Sequence, residues 1–211
     1  MKAAQRQSEG GSRLRQARRT RAALLAAARA AFSENGYAGA SLDDIATRAG
    51  FTKGALYGHF ASKDDLFLAL LAEQAATTTS GWAEALPAGT GIAEIRALSA
   101  DLAATVHQER DWALATTEFS IHAARHPELA AQRREAIRKA AAELTDTLQR
   151  AVGEPIDAAA AAPAVMALVD GMFLMSAIDP DVDLAGALAH GLERLLISVH
   201  RGPTSVDTAT S

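Results

Sequence analysis

Between Phe51 and Leu66 the chain reads FTKGALYGHFASKDDL, which gathers hydroxyl, ammonium, phenol and imidazole groups at Thr52, Lys53, Tyr57, His59, Ser62 and Lys63. All of these donate hydrogen bonds, and the lysines add positive charge. Phosphate oxygens and base edges are the acceptors such a set suits. Taken singly, each is also an ordinary surface polar group, and Tyr57 has an aromatic body that can pack. Gly54 and Gly58 lie in the same stretch. Each costs an isolated helix about 1 kcal/mol relative to alanine, which makes sense where an exposed face must stay flat and approach something closely.

The charge distribution points the same way. The chain of 211 residues has a net charge of −4, yet residues 1–60 carry ten Lys/Arg against Glu9, Glu34, Asp43 and Asp44, a local +6 that leaves −10 for the rest. Such a division suggests an N-terminal part that approaches phosphates and a remainder that does something else. Arg13, Arg15, Arg18 and Arg19 supply much of it and are expected to add minor-groove or phosphate contacts, and residues 1–16 are expected to form a disordered basic arm.

Other chemistries are poorly served. There is no cysteine, which removes disulfides, thiolate catalysis and cysteine-held zinc. No Gly-rich phosphate loop follows a strand, and no His/Asp/Ser constellation converges, so no cofactor is expected and enzymatic activity is not. Glu118, His122 and His126 fall at helical spacing. They spread over about 12 Å of helix rise, so they cannot converge on one ion unaided and no metal site is expected; a Glu118 to His122 hydrogen bond or plain exposure fits better. The apolar run from Ala158 to Met166 contains Pro163 and is too short to span a bilayer, and the basic N-terminus lacks a following apolar segment. The expectation is a soluble cytoplasmic protein with no membrane contact.

The elements that must position these groups are helical. Aromatics make up 5% of the chain and alanine is abundant, a composition that does not favour sheets. Leu24, Leu25, Ala28 and Phe32 recur at helical spacing, so a first helix should run from near Ala17 to Asn35-Gly36. Ser41 followed by Asp43 and Asp44 caps a second helix that stops at Gly50, Thr52 caps a third that ends near Phe60, and Ser62 opens a fourth that runs into the 80s. Further helices are expected over Ile92–His107, Asp111–Arg125, Pro127–Ala151, about 157–178 and 181–199. Pro163 either kinks the penultimate helix or marks its true first turn.

Ile45, Ala46, Ala49, Gly50, Phe51 and Leu56 explain how the second and third helices meet. A steep crossing needs a small residue at closest approach, which Ala46 supplies, and positive φ at the corner, which Gly50 supplies. The motif over 41–60 is therefore a helix-turn-helix whose second helix would enter the DNA major groove. Thr52, Lys53, Gly54, Tyr57 and His59 would then face DNA, with Ser41 and Lys63 on phosphates at flanking helix starts.

The run SLDDIATRAGFTKGALYGHFASKDDLFLALL, preceded by TRAALLAAARAAFSENGYAGA, resembles the DNA-binding domain of the TetR family of bacterial transcriptional regulators, closely from about Arg18 to Leu71. The resemblance implies an all-α homodimer. It would comprise an N-terminal three-helix domain over 17–62, a regulatory and dimerisation domain over 63–200, and a tail over 201–211 expected to be disordered. It further implies a repressor that binds a palindromic operator in double-stranded DNA and is released by a small-molecule effector. In such proteins the last two helices form a four-helix dimer interface, and the stripes Val165, Leu168, Val169, Met172, Phe173 and Leu184, Leu188, Leu192 fit either that role or internal core. Trp82, Trp112, Phe119, His122, Met166, Met172 and Phe173 could line an effector cavity or simply be packed core. The competing reading is a helical-bundle small-molecule-binding protein or enzyme whose DNA-binding head no longer functions.

Overall fold

A computed structural model describes residues 2–86, 88–89, 94, 101–105, 108–152, 157–179 and 181–200. Among these residues there is no strand, and eight helices have defined bounds: α1 (Lys2–Gly39), α2 (Leu42–Arg48), α3 (Lys53–Tyr57), α4 (Lys63–Ala85), α5 (Arg110–Ala124), α6 (Pro127–Val152), α7 (Ala158–Ile178) and α8 (Leu184–His200). The all-α architecture is as the sequence implies. Of the helix expected over Ile92–His107, residues 94 and 101–105 are helical and the others lie outside the described residues, as does the tail over 201–211.

The first helix differs at its start. It begins at Lys2 and not near Ala17, so the segment 2–16, expected as a disordered arm, is helical. Its Lys, Ala, Gln, Arg and Glu residues are good helix formers, and their sum outweighs a cost of about 1 kcal/mol for each of Gly10 and Gly11. At its other end the regular run stops where Asn35-Gly36 was expected to stop it. Gly36 takes φ 70°, ψ 173°, and Tyr37–Gly39 form a separate final turn.

The helix-turn-helix follows its capping residues. Ser41 Oγ accepts from Asp43 N (3.3 Å) at the start of α2, and Thr52 Oγ1 accepts from Ala55 N (3.2 Å) at the start of α3. Between them Gly50 has φ 76°, and Phe51 N donates to Ala46 O at 2.9 Å, closing the corner. Ile45, Ala46 and Leu56 are buried there. Ser62 caps α4 by accepting from Asp65 N (3.0 Å), and the Asp65 carboxylate accepts from Ala61 N (2.9 Å).

One core joins this head to the helices that follow. Leu24, Ala28 and Phe32 of α1 pack with Ile45, Leu56, Phe60, Leu66, Phe67 and Leu70, and the same cluster takes in Trp112, Ala115 and Phe119 of α5. Phe67 is at its centre, edge-on to Phe32 (centroids 4.8 Å) and stacked on Phe119 (4.5 Å) and Trp112 (5.1 Å). Each fully buried phenylalanine contributes about 1.5–3 kcal/mol by transfer from water, and each such ring pair about 0.5–1.5 kcal/mol more. The head is thus fastened to α5 by packed aromatic surface.

The remaining helices form a bundle with a second core. Val165 of α7 and Leu192 of α8 are buried with Leu86 and Ala151, while Leu148, Ala161 and Ala162 form a third small cluster. The stripe through Val165 and Leu192, which fitted either internal core or subunit contact, is largely internal. A different face of α7 stays open, with Leu174 43%, Met175 51% and Ile178 78% exposed. Asp157 caps α7, accepting from Ala160 N (3.1 Å), so Pro163 does not mark the first turn but sits inside the helix, in its second turn. The apolar stretch here is also longer than the sequence reading allowed. Ala159–Ile178, 20 residues of mean hydropathy 1.8, is long and apolar enough to cross a bilayer by length and composition, and only 28% of it is buried within the chain.

Candidate nucleic-acid interface

Helix α3 is five residues long, too short to persist alone, and it is held by Leu56, which is fully buried, and by its caps on either side. This anchoring leaves the opposite face to solvent. Thr52, Lys53, Gly54, Tyr57 and Gly58 are all exposed, and a side chain at Gly54 would meet only Thr52 Oγ1 at 3.9 Å. Tyr57, 48% exposed, presents its ring and hydroxyl outward. His59 is half-buried beside Phe60. Five of the sequence-selected residues, Thr52, Lys53, Gly54, Tyr57 and His59, are therefore brought together on or beside one short helix.

The charges around this face are partly spoken for. Lys53 Nζ pairs with the Asp43 carboxylate at 2.9 Å, and that hydrogen bond raises the lysine's pKa. Arg48 pairs with Glu34 (2.6 Å) and Asp44 (2.7 Å), and the Glu34 hydrogen bond is the main cause of its raised pKa. These are exposed pairs, weak and readily exchanged for phosphate. Arg29 is different. Its guanidinium pairs with Glu109, donates to Gln74 Oε1 (2.8 Å) and lies 4.4 Å from the centroid of the Trp112 ring, so this part of the local +6 faces the body.

Lys63 also turns inward. Its ammonium donates to the carbonyls of Tyr37 (2.9 Å), Ala38 (3.2 Å) and Ala40 (3.3 Å) and lies 4.6 Å over the Tyr37 ring. A cation at the carboxyl end of a helix satisfies carbonyls that have no amide partner, which is the physical reason it is drawn away from the phosphate position read from sequence. Ser41 stays exposed at the start of α2 while capping it. Arg13, Arg15, Arg18 and Arg19 are exposed on α1, with no ion-pair partner among the described residues.

The residues selected for an effector cavity are not collected in one place. Trp112 and Phe119 are packed into the shared core against Phe67. Met166, Met172 and Phe173 are half-buried on α7, and the side chain of Trp82 lies outside the described part of the structure. His122 faces the head, with Nε2 3.5 Å from Asp64 Oδ1 and its ring 5.2 Å from that of Tyr37. Glu118, His122 and His126 do not converge. His126 Nδ1 approaches His122 O (2.8 Å), and no group able to hold a metal is found among the described residues.

Glu118 is exposed, one of the two alternatives the sequence left open, and its hydrogen-bond partner is not His122. Its Oε2 accepts from Ala38 N at 3.2 Å, at the last turn of α1. Tyr37, next along, donates its hydroxyl to Asp64, and burial followed by that bond pushes the phenol well above its ordinary pKa. These contacts line an open groove of about 870 Å³ between head and body that includes Tyr37, Lys63, Asp64, Glu118, His122 and Arg125. Sequence reasoning missed this junction because its partners are up to 80 residues apart.

Comparison with known proteins matches both parts of the chain. Residues 24–70 match the model of bacterial regulatory proteins of the tetR family, and residues 91–197 match that of the BetI-type transcriptional repressor C-terminal domain. The transcriptional activator FasR of Mycolicibacterium smegmatis is 46% identical over 66 residues, 31% of this chain and 30% of FasR. The transcriptional repressor AcnR of Corynebacterium diphtheriae is 36% identical over 98 residues, 46% of each chain. The chain thus spans less than half the length of these curated relatives. Among solved structures, a TetR-family regulator from Mesorhizobium loti superposes with TM-score 0.68 at 20% identity, covering 86% of this chain and 97% of that one. FadR of Bacillus subtilis in complex with stearoyl-CoA superposes with TM-score 0.66 at 20% identity, covering 84% and 98%. A complex of SmeT with triclosan gives 0.60 at 26% identity, covering 85% and 90%.

Proposed function

This chain belongs to the TetR family of bacterial regulatory proteins, and from that premise we propose that it is a homodimeric repressor of transcription that binds a palindromic operator and is released by a small-molecule effector. The observation that carries the DNA-binding part is the solvent-facing side of α3. It is a rigidly anchored helix whose exposed surface consists of Thr52, Lys53, a glycine with no Cβ and Tyr57. That surface can enter a major groove, with side-chain donors reaching base edges and phosphates.

The open apolar face of α7 supports the dimer. Leu174, Met175 and Ile178 would not remain in water on a stable monomer if a second copy can cover them, and an isologous contact between two α7/α8 pairs covers them symmetrically. A dimer places two α3 helices on one DNA face only if they lie about 34–36 Å apart, one helical turn, or a multiple of it. Any effector that favours a different separation of the heads therefore releases the operator, by its differential affinity for the two states. The relatives include an activator as well as repressors, and repression is the reading the second family match favours.

The reading is tested by fluorescence anisotropy on the duplex upstream of the protein's own gene, at several salt concentrations. A repressor of this design gives saturable binding that competitor DNA of scrambled sequence does not displace. Binding displaced equally by the scrambled duplex would leave only a basic protein with unspecific affinity.

A further inference from the structure

Residues 10–33 hold Arg13, Arg15, Arg18, Arg19, Arg21 and Arg29 and no acid. Arg29 is turned to the body, but every residue over 12–19 is exposed, and Arg13, Arg15, Arg18 and Arg19 form no ion pair among the described residues. This part of α1 stands clear of the head. Leu14 shows it most plainly, since it lies three turns before Leu25 on the same helix face. Leu25 is 2% exposed in the core of the head, whereas Leu14 is 64% exposed beyond its edge. The helix leaves the head beside the end of α3, because the Arg21 guanidinium lies 5.2 Å from the centroid of the Phe60 ring and Phe60 follows His59. The charges also work against the helix that carries them. Arg15 with Arg18 and Arg19, and Arg18 with Arg21, are like charges three or four residues apart.

A free-standing helix with arginine on several sides and no anion of its own fits a polyanion that runs alongside it. We infer that residues 13–21 form a rigid, base-independent DNA contact: α1 carries its arginines past the end of α3 and sets them on the sugar-phosphate backbone of the duplex that α3 enters. The inference rests on the DNA-binding reading and adds a second surface and the form in which it acts. From Arg13 to Arg21 is about 12 Å of helix rise, a length over which duplex DNA carries about seven negative charges. The helical form separates this surface from a tethered basic tail. A tail delivers its charge in any conformation, whereas here Arg13 and Arg15 hold their place only while the helix is continuous with Leu24 and Leu25, which are buried.

Ala17→Pro tests that form, because proline breaks the helix between Arg15 and Arg18 and removes no charge. Fluorescence anisotropy of a labelled duplex of about 30 base pairs and arbitrary sequence, titrated with the full chain at low salt, reads the contact without requiring an operator. Arg13→Ala/Arg15→Ala should weaken binding by about ten-fold, and Ala17→Pro should come within about two-fold of that variant, while Ala17→Ser stays at the wild-type affinity. Both losses should persist in a Lys53→Ala/Tyr57→Ala background. The Tm of Ala17→Pro should stay within about 2 °C of the wild type, because the stretch can open locally without the core. Wild-type affinity in Ala17→Pro beside a loss in the double arginine variant would make the segment a tethered tail, and no loss in the double variant, or no binding of any duplex, would take the arginines off DNA. Each of these overturns the inference. So would tighter binding to phosphatidylglycerol vesicles than to the duplex, or a Tm several degrees lower for Ala17→Pro, which would make the stretch part of the head's packing. Failure of the wild type to select an operator, with these duplex results intact, would remove the reading of α3 and leave the inference standing.

Discussion

The carboxylate of Glu118 lies directly over Gly36: a Cβ placed on that glycine would be 2.7 Å from both carboxylate oxygens. Glu118 belongs to α5 of the body, and Gly36, at φ 70°, ends the regular run of α1 in the head. With Glu118 also accepting from Ala38 N at 3.2 Å, the close approach turns a helix stop into a fastening between the two parts. Gly36→Ala should therefore destabilise the protein by about 1–3 kcal/mol in denaturant unfolding, from left-handed backbone strain and the contact together. Adding Glu118→Ala should relieve only the contact, leaving a deficit of about 1 kcal/mol. A neutral Gly36→Ala would mean that the junction is looser than described.

Tyr37 predicts an alkaline effect of defined sign. Burial and the bond to Asp64 hold its phenol protonated in the folded state above the ordinary value of 10.0. Above that pH the unfolded chain loses a proton that the folded chain keeps, so stability is fully present below pH 10 and falls as pH rises beyond it. Tyr37→Phe should lower stability at pH 7 by about 1 kcal/mol through the lost hydrogen bond and should flatten the decline above pH 10. Parallel curves for the two proteins between pH 9 and 11 would contradict the assignment.

The open face of α7 makes a prediction about assembly. Met175→Glu or Ile178→Glu places a charge on a surface already more than half exposed in the single chain, so the fold should survive. Sedimentation velocity should show the wild type as a dimer and either variant as a helical monomer. Dimers of unchanged affinity would move the interface elsewhere.

Much of the head was legible because its rules are local. Ser41, Thr52 and Ser62 are caps within three residues of the amides they satisfy, and Gly50 stands where the corner demands positive φ. The inward contact of Lys63 was not legible, because its charge and position suit a phosphate as well as they suit the carbonyls ending α1, and only the tertiary arrangement shows the second. Glu118 and Arg29 were opaque for a related reason, since each finds partners 80 residues away in sequence. In the body, alanine-rich helices offer little contrast between faces, so the internal stripe through Val165 and Leu192 could not be told from the open one at Leu174 and Met175. The start of α1 was not legible because Gly10 and Gly11 interrupt a run of helix formers whose summed propensity prevails.

The arginines on α1 are exposed without ion-pair partners among the described residues, and a DNA role would make them visible in salt dependence. Each phosphate contact contributes about 0.9 to the slope of log affinity against log salt. Replacing Arg13, Arg15, Arg18 and Arg19 by alanine should flatten that slope by about 2–4, and Lys53→Ala by about 1. An unchanged slope in the fourfold variant would remove α1 from the interface.

Selection of duplexes from a random pool by the purified protein at near-physiological salt, beside a Lys53→Ala/Tyr57→Ala double variant, tests the central claim most directly. The account predicts a recovered sequence with two inverted half-sites about one helical turn apart, enriched by the wild type and lost by the variant. Folded wild-type dimer that enriches no sequence, or a variant that recovers the same one, would contradict it.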